Sequence, residues 1–200
     1  MVESQLSQCP NHTAGGRMMT VLERPYEIIL SELKIKEKVR ELGSRITEDY
    51  SDKNPVLIGI LKGSFIFLSD LIRSIDLPIS IDFIAVSSYG SEMESSGIVR
   101  FLYDLKTSIE DRDVLLVEDI VDTGLTLEYL IENFITRHPK SIKICSLLDK
   151  KGARKPGITL NIDYSGFEVP NRFLVGYGLD YDEKYRNLPF IAAITDPETK

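Results

Sequence analysis

Apolar and polar positions along the chain follow two rhythms. From Ser31, whose hydroxyl suits a helix N-cap, Leu33, Ile35, Val39, Leu42 and Ile46 recur at near-helical spacing as far as Tyr50, which predicts an amphipathic helix. The stretch from Pro55 to Leu61 is short and almost continuously apolar, so it reads as a buried strand. Lys62-Gly63-Ser64 interrupts it, and the apolar run from Phe65 through Leu71-Ile72 reads as a second helix. The same order returns downstream: Ile81 to Val86 reads as a strand, and Val114 to Val117 as another, leading through an acidic, glycine-containing loop into a helix from Thr126 to Thr136. Ile142 to Leu148 supplies a further strand, and Phe173 to Gly176 and Phe190 to Ile194 are apolar pieces between loops rich in Asp, Tyr and Pro. Short apolar strands alternating with helices predict an α/β fold built on a buried, mostly parallel sheet. In such sheets ligands bind at the carboxyl ends of the strands, so the loops beginning at Lys62, Glu118, Asp149 and Gly176 are expected to converge. Residues 1–23 are polar, contain Gly15-Gly16 and show neither periodicity, which predicts a disordered extension ahead of one domain over 24–200.

Composition narrows the function more than the fold. With 200 residues, 42% of them hydrophobic and 28% charged, the chain has material for one sizeable core. A formal charge of −7 argues against a nucleic-acid partner, since backbone phosphates are bound by clustered Lys and Arg. The only cysteines, Cys9 and Cys145, stand in unrelated contexts and suggest free thiols, and the isolated His12 and His138 give no support to a histidine metal site or a Ser-His-Asp arrangement. No run is long and apolar enough to span a bilayer and no secretory signal opens the chain, so a cytoplasmic protein without a membrane partner is expected.

The chemistry concentrates in Val114 to Leu127. There a buried strand ends in Glu118-Asp119 and runs through Ile120-Val121 into Asp122-Thr123-Gly124-Leu125-Thr126 before a helix. Backbone amides at such a helix start, with the Thr123 and Thr126 hydroxyls, suit a phosphate. Carboxylates beside that cradle would repel the anion unless they accept bonds from sugar hydroxyls or face magnesium, which takes carboxylate oxygen and keeps several waters. Helix capping and turn formation alone would also account for Asp122-Thr123-Gly124, but not for the acid pair directly after a buried strand.

This stretch resembles the phosphoribosyl-pyrophosphate signature of the type I phosphoribosyltransferases. Leu61-Lys62-Gly63-Ser64, Ser87-Ser88-Tyr89-Gly90, Ser146 to Lys151 and Phe173 to Tyr181 make the chain from about Arg24 to Ile194 similar to the hypoxanthine-guanine branch of that family. The resemblance implies the family's fold, a central mostly parallel sheet flanked by helices with a small hood made of terminal segments. It also implies a pentosyltransferase of purine salvage that converts hypoxanthine or guanine and phosphoribosyl pyrophosphate to IMP or GMP, with magnesium, as a homodimer or homotetramer.

Residue by residue, the resemblance implies that Glu118 and Asp119 hold the ribose hydroxyls and that Asp122, Thr123, Gly124, Leu125 and Thr126 wrap the 5-phosphate. Asp122 also becomes the candidate general base toward the imidazole edge of the purine. Lys62 and Gly63 would lie in the pyrophosphate loop, with a cis peptide at Leu61-Lys62, and Arg186 would contact the pyrophosphate through its planar fork of donors. Lys150 would donate to the exocyclic oxygen of the base, Phe173 would stack on the ring, and the Leu174 backbone would pair with the base edge. Asp180 would join Glu118 and Asp119 near the metal and lie close to the base. Ser88 and Tyr89 would belong to a lid. The family often has lysine where this chain has Leu125, a departure that leaves the backbone cradle untouched. Lys151 and Arg154 belong to a basic loop of a kind ordinarily solvated. Two other readings stay open on sequence grounds: an RNA-binding regulator on the same scaffold, disfavoured by the negative charge, and a transferase for another base, disfavoured by Lys150 and Phe173.

Overall fold

The computed structural model describes residues 26–88 and 99–194. The predicted extension over 1–23 lies outside them. Helix α1 (Glu32–Asp49) begins where the spacing predicts, with Ser31 as N-cap accepting from the Lys34 amide at 3.4 Å. Strand β2 (Val56–Leu61) leads through a three-residue loop into α2 (Phe65–Ile72), and β3 (Ser80–Ser88) pairs with β4 (Val99–Tyr103). Strand β5 (Asp113–Val121) feeds α3 (Leu125–Ile135), and β6 (Ser141–Asp149) is followed by the 3-10 turn Lys151–Ala153 and β7 (Tyr164–Glu168). These strands form one sheet in the order β4-β3-β2-β5-β6-β7, parallel except for β4.

The sheet is covered on both faces, which is why its strands lack polar alternation. In β5, Leu115 and Val117 join Ile35, Leu42 and Ile46 of α1 and Phe67 and Leu71 of α2 in one core. Val114 and Leu116 join Leu127, Leu130 and Phe134 of α3 in the other. Each central strand thus gives alternate residues to two separate cores.

A second, three-stranded sheet holds β1 (Tyr26–Leu30), β9 (Ile191–Ile194) and β8 (Leu174–Val175), all antiparallel. This is the expected hood of terminal segments. It brings the Phe173 region over the edge of the main sheet at which β2, β5 and β6 end. Among the described residues no helix is long and apolar enough to cross a membrane.

The structure corrects the reading of the acidic segment in one respect. Glu118 and Asp119 do not lie in a loop: β5 continues to Val121, with Glu118 opposite Ser146 and Val121 opposite Asp149. The long partner β6 supplies backbone bonds through the acid pair, so the ladder overrides the loop-like composition.

Candidate active site

Three strand ends and the hood enclose a cavity of about 370 Å³ lined by Lys62, Gly63, Asp119, Ile120, Asp122, Lys150, Phe173, Leu174, Leu179, Asp180 and Arg186. The expected convergence of loops is therefore present, and nine of these residues are ones the sequence singled out.

The floor depends on close backbone approach. The Leu61-Lys62 peptide is cis, as the resemblance implies. A Cβ on Gly63 would stand 1.8 Å from Asp119 Oδ2, and one on Gly178, at φ +105°, would stand 2.0 Å from the Gly63 carbonyl oxygen. Only glycine lets the β2 loop, the β5 carboxylate and the hood meet.

Asp119 is buried and takes backbone N–H bonds from its own residue and Ile120. Burial nevertheless dominates and pushes its carboxyl up to about 6, with Arg186 pulling down and Asp180 pushing up. Glu118 is raised well above the usual carboxylate range, first by burial and then by the charge of Asp119. Its Oε2 is buried with no hydrogen-bond partner. Glu118 does not line the cavity.

After Val121 the chain turns through Asp122, Thr123 and Gly124, the last at φ +87°, into α3. That helix has no side-chain N-cap, so its first N–H groups keep no capping partner and carry the positive end of the helix dipole. Thr123, Leu125 and Thr126 belong to this half-buried turn beside the cavity without lining it.

Lys150 is buried, and its ammonium lies 3.3 Å from Asp122 Oδ2. Phe173 is 54% exposed and meets Tyr181 edge-on, with centroids 5.5 Å apart and planes at 84°. A core role for Phe173 is thereby excluded: the side chain is exposed and lines the cavity. Arg186, its side chain only 19% exposed, pairs with Asp180 at 2.8 Å and donates to the Gly178 carbonyl at 2.8 Å. Lys62 reaches Glu183 at 2.8 Å.

Of the two residues expected in a lid, Tyr89 lies outside the described residues, and of Ser88 only its place at the end of β3 is described. Sequence reasoning missed Ile120, Leu179 and Glu183, and it gave Arg154 the wrong surroundings. Arg154 is not solvated: Nη1 donates to the Asp122 carbonyl at 2.9 Å and Nη2 to Asp149 Oδ1 at 2.6 Å. Lys151 does behave as expected, exposed and paired with exposed Glu168.

With this geometry in hand, comparison with known proteins is decisive at the level of family. The chain belongs to the phosphoribosyl transferase family, whose domain matches residues 25–182. Within that family it is similar to the hypoxanthine-guanine phosphoribosyltransferase of Bacillus subtilis, 52% identical over 168 residues that cover 84% of this chain and 92% of the relative. The enzyme of the same name from Dictyostelium discoideum is 51% identical, over 85% of this chain and 96% of its own. A solved hypoxanthine-guanine phosphoribosyltransferase from Bacillus anthracis superposes with a TM-score of 0.81 at 46% identity, covering 86% of this chain and all of that one.

Proposed function

We propose that this chain is a hypoxanthine-guanine phosphoribosyltransferase of purine salvage, which transfers the 5-phosphoribosyl group of phosphoribosyl pyrophosphate to an oxopurine and releases pyrophosphate. The observation that carries the reading is the Asp122–Lys150 pair, 3.3 Å apart, lining one cavity together with the exposed Phe173. It joins a proton acceptor, a hydrogen donor and an aromatic platform, which together match an oxopurine.

The purine stacks on Phe173 while Lys150 donates to its exocyclic oxygen and the Leu174 backbone meets its edge. Adenine would present an amino group, a second donor, to buried Lys150, and unpaired buried polar groups are penalised heavily. The amides and hydroxyls of Asp122 to Thr126 take the 5-phosphate, and Glu118 and Asp119 take the ribose hydroxyls. The raised carboxyl of Asp119, which lines the cavity, supports its part in this, because a buried acid gains from donors that a sugar supplies. Lys62 and Arg186 leave their carboxylate partners for the pyrophosphate. As the glycosidic bond to pyrophosphate breaks and the purine nitrogen bonds to the anomeric carbon, the ring proton passes to Asp122.

The acids also fit a divalent ion. Among the described residues no three His, Cys, Asp or Glu side chains form a preassembled metal site. Asp119 and Asp180, which line the cavity, and Glu118, with its unpaired oxygen, suit magnesium arriving with the substrate, since that ion is held by one or two carboxylates plus phosphate oxygens. When bound it would supply charge neutralisation of the leaving pyrophosphate.

We further assign residues 24–200 to one catalytic domain in the cytoplasm, assembled as a homodimer or homotetramer, which sedimentation would check. The direct test of the reaction is incubation with phosphoribosyl pyrophosphate and hypoxanthine, with and without magnesium. IMP and pyrophosphate in equal amounts, formed only with the metal, are expected; absence of both would overturn the reading.

A further inference from the structure

We infer that Arg154, held by Asp149, is a positioning residue that sets the aim of the Asp122–Thr126 loop by holding the Asp122 carbonyl. The inference rests on the proposed function for its catalytic consequence and on geometry alone for the clamp.

Three consecutive carbonyls at the end of β5 are bound by one segment. The Val121 oxygen accepts from the Lys150 amide at 3.0 Å and the Thr123 oxygen from the Lys155 amide at 3.1 Å. Between them the Asp122 oxygen accepts from Arg154 Nη1 at 2.9 Å. Two of these bonds come from backbone and survive any side-chain change. The middle one depends on a single guanidinium.

That guanidinium is well fixed. Its other arm donates to Asp149 Oδ1 at 2.6 Å, the arginine side chain is 16% exposed and the aspartate 7%. Charge-assisted bonds in such shielded surroundings are stronger and more directional than surface pairs. The Arg154 stem also packs beneath the loop: its Cδ lies 3.6 Å from where a Gly124 Cβ would stand, beside Ile158 and Leu160. Arg154 therefore braces the turn without itself lining the cavity that Asp122 lines.

The consequence follows from peptide planarity. A peptide plane whose carbonyl is pinned outward has its N–H turned the opposite way. Holding the Asp122 carbonyl fixes the 122–123 peptide, and so the direction of the Thr123 amide, which lies in the turn two residues ahead of α3. The same bond sets the Asp122 backbone from which the carboxylate reaches Lys150. Arg154 thus governs both the Thr123 amide of the proposed phosphate cradle and the proton-accepting carboxylate of Asp122 without touching either ligand.

The test uses the full chain with Arg154→Met, which keeps much of the stem and removes the donors, and Arg154→Lys, which restores one. Steady-state synthesis of IMP is measured alongside backbone amide hydrogen exchange at residues 123–126 and thermal melting. For Arg154→Met the inference expects kcat to fall at least about tenfold, in line with the cost of misplacing a reacting group. The KM for hypoxanthine should stay within about twofold, exchange at 123–126 should speed about tenfold, and Arg154→Lys should recover part of each. Wild-type kcat and loop exchange in Arg154→Met would overturn it, and so would faster exchange spread over the whole protein with a matching drop in melting temperature. A wild-type protein that forms no nucleotide would refute the proposed function instead, and the exchange measurement would still decide whether the clamp exists.

Discussion

Gly63 and Asp119 approach so closely that a single added methyl on Gly63 would collide with the Asp119 carboxylate, at 1.8 Å from Oδ2. Asp119 sits in β5, which past Val117 keeps only β6 as its partner, and residue 63 sits in a three-residue loop, so the loop and the carboxylate tip must both yield. Gly63→Ala should therefore displace Lys62 and the Asp119 carboxylate by a large fraction of an ångström. The expected result is a fall in kcat/KM of about a hundredfold, with a stability loss of only about 1–3 kcal/mol. Steady-state kinetics and thermal melting of the same variant check both.

Lys150→Met separates recognition from chemistry. The ammonium is buried and its partners are Asp122 and the proposed exocyclic oxygen of the base. Its loss should lower kcat/KM for hypoxanthine and guanine by about a hundredfold or more while leaving the poor rate with adenine nearly unchanged. Equal losses for all three bases would argue that Lys150 serves only to hold Asp122.

Phe173→Ala should weaken base binding without unfolding the hood. The ring is more than half exposed, and the backbone at 173 is tied down independently by the Ile194 amide donating to its carbonyl at 3.1 Å. Stacking of an aromatic ring on a base contributes about 1–3 kcal/mol, so the KM for hypoxanthine should rise roughly tenfold or more. Little change in melting temperature is expected.

These residues differ in how far the sequence exposes them. The Lys62-Gly63 turn, the acid pair and Lys150 are legible because each interrupts an apolar strand at its carboxyl end, where polar groups must face either solvent or a ligand. The two-faced burial of β2 and β5 is legible for the same reason. Strand β1 is not, because Tyr26–Leu30 forms only by pairing with β9, far along the chain, and three of its five residues are exposed. Nor is β4, an edge strand created by the antiparallel return beside β3. Arg154 illustrates the limit most clearly. Its loop is rich in Lys and Gly, and nothing local reveals that Asp149 and the Asp122 carbonyl wait on either side.

Acid sensitivity can be placed outside the catalytic centre. Buried Asp82 accepts from the amides of Phe83, Lys106 and Thr107 at 2.8 to 2.9 Å. Burial opposes its charge, but these bonds outweigh it and hold its carboxyl below the usual range. Because the folded value is the lower one, the stabilisation is present above the unfolded carboxylate's value of about 3.9 and is lost as pH falls through the folded value. Asp82→Asn should therefore cost about 1–2 kcal/mol at neutral pH and shrink that deficit below about pH 4, as denaturant titrations across pH would register.

Asp122 and Lys150 together are expected to accept an oxopurine. The most direct measurement follows nucleotide formation from phosphoribosyl pyrophosphate and magnesium with hypoxanthine, guanine, xanthine and adenine side by side, in the wild type and in Asp122→Asn. IMP and GMP with little AMP are expected, with a large fall in kcat for Asp122→Asn. AMP formed as readily as IMP, or an unchanged rate in Asp122→Asn, would contradict that reading.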